Sequence, residues 1–116
     1  MTNNAPLLEQ LTALCKKLNL PSATGAFNAS PAPDQFAVFT PIADVYDLHA
    51  ANEPGVQVEH VRLSVYGRGN YLHLRDLISH ALLQAGITVE ARTYVGYEAD
   101  TGFHHYAIDC ATHHTL

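Results

Sequence analysis

Lysine is scarce. Lys16 and Lys17 are the only two in 116 residues, and six basic residues face eleven acidic ones, for a net charge of −5. Nucleic-acid surfaces draw their affinity from clustered Lys and Arg, so the balance argues against that class of partner. The four arginines, Arg62, Arg68, Arg75 and Arg92, are scattered, and an anionic membrane surface is disfavoured for the same reason. Cysteine is equally rare. Cys15 and Cys110 fit no CxxC pattern and read as buried thiols in a reducing compartment. No apolar run approaches the ~20 residues that span a bilayer. The opening "MTNNAPLLEQ" lacks the basic and apolar regions of a signal peptide. Catalytic signatures are missing as well: there is no GxSxG, P-loop or HExxH. What is present is ordinary. Hydrophobic residues make up 47%, which suits a soluble globular protein with one domain over residues 1–116.

Two segments carry helical periodicity. In "PLLEQLTALCKKLNLP", Leu7, Leu8, Leu11, Leu14, Cys15 and Leu18 recur at three- and four-residue spacing. Pro6 fits the first turn and Pro21 the stop, with Lys16 and Lys17 in the last turn. In "YLHLRDLISHALLQAG", Leu74, Leu77, Ile78, Ala81, Leu82 and Ala85 form one face, Asn70 is the N-cap, and Gly86 takes the position after the C-cap.

The remaining segments read as strands. "SATGAFN" is a short one, "FAVFTPI" a second, and "VQVEHVRLSVYG" the longest. In the longest, Val56 and Val58 share one parity while Val61, Leu63 and Val65 share the other. Such a slip predicts a bulge near Glu59 and His60, or a first half that packs on the other side of the sheet. Between the second and third strands, residues 42–55 show no period and end in Pro54-Gly55, which predicts a long loop. "ITVEARTYVGYE" and "FHHYAIDCAT" flank "ADTG" as a terminal hairpin. Shared parity of its apolar sets predicts a four-residue turn, Ala99–Gly102, and pairs Val95 with Tyr106, Thr93 with Ile108, and Ala91 with Cys110. Tyr106, Ile108 and Cys110 then face the helices, and Arg92 lies opposite Asp109.

The C-terminal histidines invite a metal reading. In a strand, however, His104 and His105 point to opposite faces, and His105 and His113 lie about 26 Å apart. Metal ligands must converge on one centre, so these histidines read as sheet residues. His73 and His80 read as the polar side of a helix. A thiol nucleophile at Cys110 paired with His104 or His105 is disfavoured, because Cys110 sits among core-facing residues. Anion binding at the helix after "GRGN" is conceivable, but a turn with an N-cap accounts for that stretch. No catalytic residue, metal or cofactor is called for.

The order helix, strands, loop, long strand, helix, hairpin, with "FAVFTPI", "VQVEHVRLSVYGRG", "LRDLISHALLQAGITVEA" and "YEADTGFHHYAID", resembles the tail-terminator (tail-completion) proteins of long-tailed bacteriophages and prophages. The resemblance spans roughly residues 7 to 110 and rests on order and spacing. The many histidines and few lysines depart from the family pattern. The resemblance implies an α+β fold, a mainly antiparallel sheet packed against two helices in the order α-β-β-β-α-β-β, with a long loop before the central strand. It further implies a homo-oligomeric ring, a hexamer, that caps the tail tube and meets the head-tail connector protein. Assembly would take place in the bacterial host cytoplasm and the product would sit in the tail or neck of the virion. Neck and head-completion proteins share related folds. A small His/Asp metal-dependent enzyme and a monomeric binding module are the alternatives from other classes. A ring subunit needs unfinished surfaces, and the expected assembly interface is Tyr46, Asp47, Leu48 and His49 in the loop with Glu59 and His60 in the phase-slipped strand.

Overall fold

Both periodic segments fold as helices and the strand candidates join one sheet. A computed structural model describes residues 5–48 and 54–115. In chain order the elements are α1 (Leu7–Lys17), β1 (Ser22–Thr24), β2 (Gln35–Leu48), β3 (Pro54–Gly67), α2 (Tyr71–Gln84), β4 (Thr88–Glu98) and β5 (Phe103–Thr115). The sheet runs β1-β2-β3-β5-β4. All neighbours are antiparallel except β1, which runs parallel to β2. The protein is therefore α+β, in the expected element order.

Both helices lie on one face of the sheet. Leu7, Leu11, Leu14 and Cys15 of α1 and Leu74, Ile78 and Leu82 of α2 pack onto Phe39, Val61, Leu63, Val65, Ile108 and Cys110. A buried aliphatic side chain contributes about 1.5–3 kcal/mol, so this layer holds the domain together. Each helix ends in a Schellman motif. Asn19 adopts φ 57° after α1, where the Leu20 N–H donates to the Cys15 carbonyl at 2.8 Å; Gly86 adopts φ 77° after α2, where the Ile87 N–H donates to the Leu82 carbonyl at 3.0 Å. Asn70 caps α2 by accepting the His73 N–H at 3.2 Å, as its sequence position predicts. Leu77 and Ala85, expected on the buried face, are exposed. The contact line of α2 is the narrower row Leu74–Ile78–Leu82.

Three expectations are corrected. First, residues 42–48 are not loop. They continue β2, whose Ala43–Leu48 stretch pairs with β3. They showed no period because a bulge at Ile42 shifts the parity midway and residues 41–46 are exposed whichever face they take. Second, the phase slip of β3 is not a bulge in β3, which pairs with β5 without a break from Val56 to Gly67. The bulge sits in the partner strand, opposite His60 and Val61. Val58 is buried on the face away from the helices while Val61 is buried beneath them, which is the second of the two readings. Third, Arg92 pairs with Ile108, not Asp109. Near the turn the expected register holds, with Glu98 opposite Phe103 and Gly96 opposite His105, and Gly102 takes φ 79°. Val95 and Glu90 are then each left over as bulge residues. Parity assumed an unbroken strand, but an edge strand accommodates extra residues at little cost. Tyr106, Ile108 and Cys110 still face the helices.

Gly86 offers a clean test of the α2 terminus, because a Cβ there would meet nothing within 4 Å. Gly86→Ala should cost about 1–2 kcal/mol through backbone strain alone. An unchanged urea midpoint would contradict the capping role.

Candidate assembly surfaces

The described residues proposed from sequence lie on the adjacent strands β2 and β3, where Asp44 is opposite Glu59 and Ala43 opposite His60. Tyr46 lies on β2 and is half exposed. Asp47 and Leu48 end the same strand, and His49 lies outside the described residues. Glu59 and His60 point to opposite faces of β3. Glu59 turns inward. The N-cap of α1 is Pro6, which offers no side-chain acceptor, and Glu59 supplies one from across the sheet: its Oε2 accepts the Leu7 N–H at 3.0 Å. A carboxylate at a helix N-terminus also meets the positive end of the dipole. The other carboxylate oxygen lies 2.6 Å from His114 Nε2. Glu59 thus fastens α1 to the end of β5. His60 lies on the outer face, its Nδ1 2.9 Å from Oε1 of the bulged Glu90.

Among the described residues the outer face carries no helix. The bidentate pair of Arg62 with Asp109, at 2.8 and 3.2 Å, crosses from β3 to β5 there. Further along, Phe27, Phe36, Tyr66 and His105 form a row of stacked rings with centroids 4.6, 4.8 and 4.3 Å apart. Phe103 meets Phe36 edge-on. Arg68 lies 4.1 Å above Phe103, donates to the Thr101 carbonyl at 2.8 Å and pairs with Asp34 at 2.9 Å. That one side chain joins the loop before β2 to the turn before β5.

His104 faces the helix side instead. It stacks on Tyr71 at 4.4 Å, and its Nδ1 lies 2.9 Å from the Tyr94 hydroxyl. The two adjacent histidines therefore serve separate aromatic groups on opposite faces. Among the described residues no group of three or more His, Cys, Asp or Glu side chains could hold a metal ion. Both cysteines are buried and free. Burial pushes the Cys15 thiol up to about 11 and the Cys110 thiol up to about 12, so neither is a ready nucleophile.

The sheet has two unfinished edges. Among the described residues, β4 has no partner on its outer side, and β2 loses its outer partner after Phe39, where β1 ends. Of the large apolar side chains exposed among the described residues, all but Leu77 sit beside those edges. Ile42, Val45 and Tyr46 line the bare half of β2. On the other flank, Tyr94, Val95 and Tyr97 of β4 continue into Leu72 and Leu83 of α2. Leu72, Asp76, Ser79 and Leu83 follow one line along that helix. Arg92 of β4 reaches Asp76 at 3.2 Å and Ser79 at 3.4 Å, so this line overhangs the β4 edge. The tyrosines of this flank were missed from sequence. Parity assigned Val95 to the core, and only the bulge brings it out.

Among known proteins, no family model matches the chain, and no curated sequence matches it significantly.

His105 gives the outer face a measurable pH response. Its Nε2 is buried without a hydrogen-bond partner. Burial holds its pKa below the ordinary 6.5, with Arg62 adding to the shift and Glu98 opposing it. The folded state therefore binds fewer protons than the unfolded chain below pH 6.5, and stability falls as pH falls through that window. His105→Phe retains the ring on Tyr66 and removes the titrating nitrogen. Its stability relative to the parent should rise as the pH drops below 6.5 in denaturant titrations; a difference independent of pH would refute this account.

Proposed function

We propose that the protein is a structural subunit of a phage or prophage tail, a tail terminator that closes into a homo-oligomeric ring, caps the tail tube and meets the head-tail connector. The observation that carries this reading is the pair of unfinished sheet edges on opposite flanks, each lined with exposed apolar and aromatic side chains. A monomer gains nothing from such flanks, which are the usual mark of protein contact sites. Two different flanks suit a head-to-tail contact, and head-to-tail contacts close into a ring when the rotation between copies divides the circle. The α+β order agrees with the tail-terminator resemblance in the sequence, and a neck or head-completion subunit of related fold would present the same kind of surface. The assembly contacts of β2 centre on Tyr46, whose ring is the largest exposed side chain of that stretch. Aromatic anchors commonly dominate such interfaces.

Light scattering with electron microscopy tests this directly. The purified chain should form a closed ring, with six copies as the resemblance implies; a protein that stays monomeric throughout the accessible concentration range would overturn the reading. The combined change Val45→Ser and Tyr46→Ser should shift the ring toward monomer while leaving subunit stability within ~0.5 kcal/mol, as for other exposed positions. If it unfolds the subunit instead, these side chains belong to the fold and not to assembly.

A further inference from the structure

We infer that neighbouring subunits join by sheet continuation, the β4 edge and α2 flank of one copy taking the bare half of β2 of the next. This inference rests on the ring reading and specifies its joint. Strand direction is the first argument. Across β2, β3, β5 and β4 the direction alternates. The fourth strand therefore opposes the first, and a second copy in the same orientation sets its β2 antiparallel to the preceding β4. The ladder pattern continues without inversion.

The second argument is the use of edges. A two-fold contact through β4 alone would leave the β2 edges bare, and one through β2 alone would leave β4 bare. The head-to-tail joint covers one of these edges of each kind at every contact, and a closed ring leaves only the outer side of the three-residue β1 bare.

Alignment along the strands gives the third argument. Tyr94 is level with Ala37, through Tyr106 and Val65. Ile42 lies five residues further along β2, or ~16 Å at ~3.3 Å per residue. A slide of that length brings Tyr94 alongside Ile42. Four strands ~4.8 Å apart span ~19 Å, so strands inclined ~40° to the ring axis produce the same offset, and that is the ordinary inclination in closed sheets.

The joint is tested with two preparations of the full chain, each carrying one added cysteine, Val95→Cys and Ile42→Cys. Both positions are bulge residues on their edges and are 54% exposed. The native thiols are buried and suppressed, so a short bis-maleimide reads the new ones. Mixed in equal amounts and co-assembled, the two variants should yield a cross-linked pair in about half of the protein, the random-mixing limit for a head-to-tail joint, while each alone stays uncoupled. Leu77→Cys in place of Val95→Cys should abolish the cross-link. Coupling of Val95→Cys with itself would show a two-fold β4 contact and overturn the proposal. A ring seen by light scattering without the mixed cross-link would overturn the joint and leave the ring reading standing. A monomer without cross-link would overturn both.

Discussion

A strand's backbone groups must be paired or wet, and this constraint orders the whole molecule. β3 and β5 are paired on both sides over most of their length. They carry the buried Leu63, Val65, Ile108 and Cys110, and the two helices lie over them. Position in the sheet thus decides chemistry. Side chains on the central strands are committed to packing beneath the helices or to pairs such as Arg62 with Asp109. Side chains on β4 and the outer half of β2 are not, and the exposed apolar residues collect there.

The bulges follow the same division. Ile42 is left over in β2 and Glu90 and Val95 in β4, while Gly55 is left over in β3 just before its ladder with β5 begins at Val56, and none interrupts β3 against β5. An extra residue in a central strand would disturb two ladders and turn its apolar set away from the helices. On an edge it disturbs one ladder and increases local twist. Bulges also protect edges against indiscriminate pairing, so an edge that carries one accepts only a partner shaped to it.

Sequence periodicity carried the helices and the core because both depend on burial. Leu7, Leu11, Leu14, Leu74, Ile78 and Leu82 recur at helical spacing and are buried as that spacing requires. Asn70 and Gly86 stood at caps whose geometry demands them. The Ala99–Gly102 turn was legible from Gly102 and from the even connection. What was not legible lies where burial is absent. Residues 42–46 carry no alternation because no face is selected there. The Arg92 register failed for the same reason: an exposed edge strand is free to insert Val95 and Glu90, and parity cannot see the insertion. Glu59 was read as an assembly residue from its place in a phase slip. Its bond to the Leu7 N–H spans 52 residues, and no local pattern announces a cap supplied from that distance.

The division between core and flank also bears on how subunit and assembly stabilities relate. Glu59, Arg68 and the ring row from Phe27 to His105 tie distant segments within one copy. They sit away from both edges, so the subunit does not need a neighbour to complete its core. The apolar side chains beside β2 and β4 make the opposite case. Their burial requires a second surface, and one surface of matching strand direction is always available: the other edge of an identical chain. A chain that kept either edge apolar but closed the other with charges would cap itself after two copies. Under the proposed ring, leaving both edges apolar, and different from each other, is what would let each copy take one neighbour on either side.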